Sequence, residues 1–131
     1  MFPYANAVGF LNWTTICMRL DLSFATSVLN QNMHDPSPAH VRACKHAFQC
    51  LRGMLDYHLK YRCNLRSPTP MYGFFDADGA SKLDEQRSTS GCYYLLSNCV
   101  VNWSSFRQRL IAFSSTKAEY MAMATTAFEL V

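Results

Sequence analysis

The stretch from Gly73 to Gly91, GFFDADGASKLDEQRSTSG, constrains this chain more than any other. The aromatic run Met71-Tyr72-Gly73-Phe74-Phe75 reads as a strand and leads straight into two carboxylates, Asp76 and Asp78. Carboxylates that close an apolar strand are costly to place unless water, a hydrogen-bond donor or a metal receives them. After a polar turn, Arg87-Ser88-Thr89-Ser90-Gly91 opens a second strand. Further on, Ser114-Ser115-Thr116-Lys117-Ala118-Glu119-Tyr120 reads as a helix start carrying one more acid. The functional question is whether Asp76 and Glu119 meet.

The rest of the chain divides around this stretch. Val8, Leu11, Thr15 and Met18 keep a helical period over 5–17, interrupted by Gly9. Leu22, Ala25, Val28 and Leu29 predict a second helix over about 21–32. His34-Asp35-Pro36-Ser37-Pro38 is a turn, with Ser37 as N-cap and Pro38 at the first helical position of a third helix. That helix, over 39–55, is amphipathic through Val41, Cys44, Phe48, Leu51 and Leu55. Its other face holds His40, Arg42, Lys45, His46 and Arg52, either simply solvated or facing phosphate. Tyr57 to Tyr61 alternates as a short strand, and 64–70 is a polar, proline-bearing linker.

The predicted organisation is therefore a helical segment over 1–63, the linker, and a second domain over 71–131. In that domain, strands are predicted over about 70–77, 88–96 and 100–105, with Ser97-Asn98 as the second turn. Leu110 to Phe113 extends the last strand, and a helix runs from near Ser115 to the final residue. The fold class is α+β: N-terminal helices, a three-stranded antiparallel meander and a C-terminal helix.

Composition narrows the class. Half of the 131 residues are hydrophobic, enough to fill a core, and the net charge of +3 suits a polyanionic partner without demanding one. The six cysteines form no C-x-x-C and no zinc-like spacing, which leaves them as buried, reduced thiols in an intracellular setting, cytoplasm or nucleus. The N-terminus lacks the basic region of a signal peptide, and no apolar run reaches membrane-span length. The four histidines pair with no nucleophile.

These motifs resemble the Pol polyproteins of copia-type LTR retrotransposons. That family's RNase H domain carries a pattern close to SDADWAGD-x-DDRKSTSGY, then SW-x-S-x-KQ, then SSTEAEYMAL. The counterparts here are Phe75 to Cys92, Asn102 to Gln108 and Ser114 to Met123. Upstream, Tyr4, Ala7-Val8-Gly9, Arg19, Asp21, Met33, His40 and Leu51-Arg52-Gly53 match further family anchors at the end of the reverse transcriptase.

The resemblance implies a truncated RNase H-like fold following a thumb- or connection-like helical segment. It implies an activity in the parent family: hydrolysis of RNA in RNA–DNA hybrids by two Mg²⁺ or Mn²⁺ ions roughly 4 Å apart. Carried over, the catalytic and metal-binding acids are Asp76 and Glu119, with Asp78 a further metal-ligand candidate. Arg87 and Ser88, and Arg107, Gln108 and Arg109, are candidate nucleic-acid contacts. Each acid has a plainer reading beside it. Asp76 and Asp78 are also turn formers, and Thr116-x-x-Glu119 is also a capping box. Trp103, Tyr120, Met121, Met123 and Phe128 read as core.

Departures from the pattern matter as much. The chain reaches Val131 before the family's later acids. The family's DADW tryptophan is Gly79, its next acid is Lys82, and the first Glu of TEAEY is Lys117. Lysines near a carboxylate cluster compete with a metal for it. The expectation is a chain that binds Mg²⁺ weakly or not at all and leaves hybrid uncut by itself. Its implied partners are RNA–DNA hybrid and the rest of the Pol polyprotein, with no membrane. In the family fold further strands lie beside the first strand; here that edge is expected to be bare, which invites self-association. The alternative is a domesticated or decayed module that binds nucleic acid or protein through its basic surface or open sheet edge.

Overall fold

Val8 and Leu11 lie on one side of a helix, α1 (Tyr4–Cys17), which runs unbroken through Gly9. The structure, a computed structural model, describes residues 2–61, 70–78 and 87–129. It divides into two compact units, 1–59 and 60–131. The expected linker over 64–70 lies, apart from Pro70, outside the described residues.

In the first unit, α1 is followed by a 3-10 turn at Leu20–Leu22, then α2 (Ser23–Asn30) and α3 (Pro38–Gly53). No proline separates α1 from α2, and an ion pair marks the break instead. Arg19 holds Asp21 through two bonds, Nε to Oδ1 at 2.9 Å and Nη2 to Oδ2 at 2.8 Å. Its Nη1 also donates to the Met54 carbonyl at 3.3 Å, tying the turn to the end of α3. The Ser37 N–H donates to His40 Nδ1 at 3.1 Å, so His40 helps cap α3 behind Pro38. The core gathers Tyr4, Val8, Leu11, Leu29, Cys44 and Ala47. The Tyr4 hydroxyl donates to the Leu29 carbonyl at 2.9 Å, and burial pushes both the Tyr4 phenol and the Cys44 thiol up in pKa. Burying side chains such as Val8 and Leu11 stabilises by about 1.5–3 kcal/mol each.

The expected strand at Tyr57 to Tyr61 does not form. Paired with none of the described strands, these residues find other partners. The Tyr61 hydroxyl donates to the Val100 carbonyl at 2.9 Å, and the Lys60 carbonyl accepts the Cys99 thiol at 3.4 Å.

The second unit is a meander, β1 (Tyr72–Asp78), β2 (Thr89–Leu96) and β3 (Cys99–Arg107), antiparallel in the order β1-β2-β3. Ser97 and Asn98 both take positive φ, 52° and 61°, the backbone a two-residue hairpin of matching twist requires. Phe74 pairs with Tyr93 and Tyr93 with Trp103; Asp78 pairs with Thr89 and Thr89 with Arg107. The sheet ends at Arg107, so Leu110 to Phe113 does not extend it.

Helix α4 (Ser115–Glu129) packs on β1 and, more lightly, on β2. Its contact stripe is Ala118, Ala122 and Thr126, at the i, i+4, i+8 spacing of one helix face. Ala118 and Ala122 meet Ala77 of β1, and such small side chains let the helix lie close to the sheet. The Tyr94 hydroxyl crosses from β2 to the Thr126 carbonyl at 3.0 Å. Because the stripe is alanine, the large residues expected in the core sit off it. Tyr120, Met123 and Phe128 are exposed, Phe128 at 86%. Trp103 is half-buried, in register with Tyr93 on the face away from α4. The fold is thus mixed: four α-helices and a three-stranded antiparallel sheet among the described residues.

Two of the expected buried thiols, Cys44 and Cys92, are buried. Cys17 is exposed at the end of α1, Cys50 and Cys99 are half-buried, and Cys63 lies outside the described residues. All five described cysteines are free thiols. No helix among the described residues is long and apolar enough to cross a membrane.

Candidate functional site

Strand pairing brings most of the sequence-predicted residues to one end of the second unit. Asp76 pairs with Gly91 and Asp78 with Thr89, which in turn faces Arg107. Arg87 stands two residues before that end of β2, and Arg109 two residues after that end of β3. The first turn of α4 joins them, because the Gln108 side-chain amide donates to the Ala118 carbonyl at 2.9 Å.

The three acids occupy two elements. Ala77 faces α4, so strand alternation sends Asp76 and Asp78 to the opposite face, where both are exposed. Glu119 belongs to α4 and is half-buried. It lines a shallow hollow of about 470 Å³ together with Phe75, Ser115, Thr116, Tyr120 and Met123. The capping box expected of Thr116 and Glu119 is not what caps the helix. Ser114 Oγ accepts the Lys117 N–H at 3.2 Å, two residues earlier, which leaves the Glu119 carboxylate out of the cap.

Two of the five expected nucleic-acid contacts are corrected. Ser88 and Gln108 are 2% and 3% exposed, too buried to meet a phosphate. The Ser88 carbonyl accepts the Gln108 backbone N–H at 2.9 Å. Gln108 Nε2 donates both to Ser90 Oγ at 2.8 Å and to Ala118. Gln108 is thus a clasp between sheet and helix. A lone Gln in a basic Arg-Gln-Arg run gives no sign of this; its strand parity with the buried Ser90 was the available signal. Arg87 and Arg109 are exposed, Arg107 is half-buried. Lys117 lies over the Phe113 ring at 5.7 Å. The departures at Gly79 and Lys82 lie outside the described residues.

Among the described residues, no group of three or more His, Cys, Asp or Glu side chains is disposed to hold a metal ion. Magnesium favours several oxygen ligands in near-octahedral array, and two exposed aspartates with a glutamate on another element do not supply one. The described residues alone do not fit a two-metal centre.

Comparison with known proteins decides the ancestry. The chain is 36% identical over 129 residues to the secreted RxLR effector protein 161 of Plasmopara viticola, covering 98% of this chain and 89% of that one. It is 33% identical over 129 residues to the retrovirus-related Pol polyprotein from transposon TNT 1-94 of Nicotiana tabacum, and 34% identical over 127 to that from transposon RE2 of Arabidopsis thaliana. The chain belongs to the copia-type retrotransposon Pol family. It spans most of the effector but only 10% and 8% of the two polyproteins. No protein-family model matches the chain, and no solved structure matches it. Within the Pol family, the region around Asp76 and Glu119 is the part whose chemistry calls for explanation.

Proposed function

We propose that this Pol-family chain spans the end of a reverse transcriptase and the first half of an RNase H-like domain. Its parent polyprotein would cut RNA in RNA–DNA hybrids with Mg²⁺ or Mn²⁺, and Asp76 and Glu119, with Asp78, would be part of the acid set. On its own the chain binds hybrid through Arg87, Arg107 and Arg109 and does not cut it. The observation that carries this reading is the gathering of strand acids, arginines and the α4 N-terminus at one sheet end in a chain of Pol ancestry. The incomplete acid set argues against cleavage by the chain alone. Titrating labelled hybrid across a salt series tests the binding. Affinity that falls steeply with salt supports the reading, because phosphate contacts release counterions; no binding at low salt overturns it.

A second reading is a short stand-alone binding module without catalysis. The near-complete coverage of the effector, 89% of its length, favours it. Hybrid binding weaker than binding to a protein partner would decide for this reading.

A further inference from the structure

Helices α2 and α3 face each other partly through small side chains, which leave a groove of about 310 Å³ between them. Phe24, Ala25 and Val28 of α2, Ala43 and Ala47 of α3 and Leu22 of the preceding turn give it an apolar lining. That lining falls within residues 22–50, which the structure describes without a gap. His46 and Cys50, one turn apart on α3, are its polar members. With its proton on Nδ1, His46 accepts the Cys50 S–H at Nε2 across 3.7 Å. A cation is also near. Hydrogen bonds to Asp21 raise the Arg19 guanidinium above its ordinary pKa, and the charge of a Cys50 thiolate adds to that rise. Cys50 thus differs from the other described thiols. Cys44 and Cys92 are buried, Cys99 donates to the Lys60 carbonyl, and Cys17 is exposed at the end of α1. Cys50 is half-buried, within reach of a reagent and set beside a base and a cation, the surroundings in which thiols act as nucleophiles.

We propose that Cys50 is a covalent site for apolar electrophiles, long-chain α,β-unsaturated aldehydes, whose hydrocarbon tail lies in the groove. The proposal does not rest on the nucleic-acid reading. The chemistry of the lining selects the occupant. Apart from the thiol and the imidazole the lining is apolar, so a hydrocarbon tail gains from burial and only the reacting end needs polar partners. In the step, Sγ bonds the β-carbon while the thiol proton passes to His46 Nε2. The C=C π pair moves into the enolate, whose α-carbon then takes the proton back from the imidazolium. The product is a saturated aldehyde joined to Cys50 through a thioether. Nothing is oxidised or reduced, and nothing leaves. Acyl transfer, by contrast, would release a leaving group that no other polar member of the lining could hold. Arg19 favours the thiolate as it forms.

Brief exposure of the full, folded chain to nonenal, followed by peptide mapping, tests the assignment. Cys50 is expected to react at least about tenfold faster than the exposed Cys17. Acrolein, which lacks the tail, supplies the comparison once each rate is divided by that of free glutathione. Nonenal should then be favoured at Cys50 by at least about tenfold, the equivalent of roughly two buried methylenes. Ala43→Phe fills the groove and should erase that preference while leaving the acrolein rate near that of the wild type. His46→Gln should slow Cys50 at least about tenfold at neutral pH, with a gap that closes as hydroxide takes over from the imidazole. Equal labelling of Cys50 and Cys17 overturns the proposal, as does the absence of a tail preference. So does a His46→Gln rate equal to the wild type at neutral pH. Should either variant misfold, the two wild-type measurements decide.

Discussion

Gln108, just past the end of β3, donates its side-chain amide to the Ala118 carbonyl of α4 at 2.9 Å and to Ser90 Oγ of β2 at 2.8 Å. One buried side chain thus joins two strands and the helix that carries Glu119. Replacing it with alanine leaves a buried carbonyl and hydroxyl short of a donor. Gln108→Ala is expected to destabilise the second unit by about 1–3 kcal/mol, read from urea unfolding. Under conditions where the variant stays folded, the salt slope of hybrid binding should not change, because Gln108 meets no phosphate.

Arg87 and Arg109 behave in the opposite way. Both are exposed at the acid-bearing end of the sheet. Arg87→Ala or Arg109→Ala should leave stability within about 0.5 kcal/mol. Each should weaken hybrid binding and lower the slope of log K against log salt by about 1. Filter binding at several salt concentrations checks both.

Tyr94 couples stability to high pH. Burial, reinforced by Cys92 and Glu129, raises its phenol above the ordinary value of about 10. Its hydroxyl also donates to the Thr126 carbonyl at 3.0 Å and to Glu129 at 3.2 Å. The unfolded chain loses this proton near pH 10 while the folded chain keeps it. The second unit is therefore fully stabilised by Tyr94 below about pH 10 and loses stability as pH rises from there toward the folded value. Tyr94→Phe should cost about 1 kcal/mol at pH 7 and flatten the alkaline loss. Thermal melts across pH 8–11 follow both effects, the window lying about 10.

Asp21 titrates in the other direction. The hydrogen bonds from Arg19 hold its carboxyl below the usual aspartate range. That stabilisation is present above the unfolded aspartate value of about 3.9 and is lost as pH falls through the lower, folded one. Arg19 is 9% exposed at its side chain and Asp21 46%, so solvent screens the pair and the cost is set by the buried guanidinium. Asp21→Asn should destabilise the first unit by about 1–2 kcal/mol at pH 7 and remove most of the acid dependence.

Much of the fold was legible because local signals agreed. Ser37-Pro38 marked the start of α3, Ser97-Asn98 marked the hairpin, and the three strands expected over about 70–77, 88–96 and 100–105 lie within two residues of their observed ends. What misled was apolar bulk without context. Tyr120, Met123 and Phe128 look like core by composition, but α4 meets the sheet through Ala118 and Ala122, and helix rotation decided the outcome. Tyr57 to Tyr61 alternates like a strand but pairs with none of the described strands. The site was half readable. Spacing brought Asp76, Asp78 and the arginines to one end of the sheet, but polarity alone did not reveal that Ser88 and Gln108 are buried. Their strand parity carried that information, together with a helix placement that no local pattern encodes.

Cleavage of an end-labelled RNA–DNA hybrid by the purified chain, with Mg²⁺ and separately with Mn²⁺, addresses the central claim most directly. The acids at hand, Asp76 and Asp78 on one face of β1 and Glu119 on α4, do not complete a metal centre. The hybrid should therefore stay intact under conditions where it is bound, and Asp76→Asn should change nothing. Metal-dependent cutting that Asp76→Asn abolishes would contradict the account.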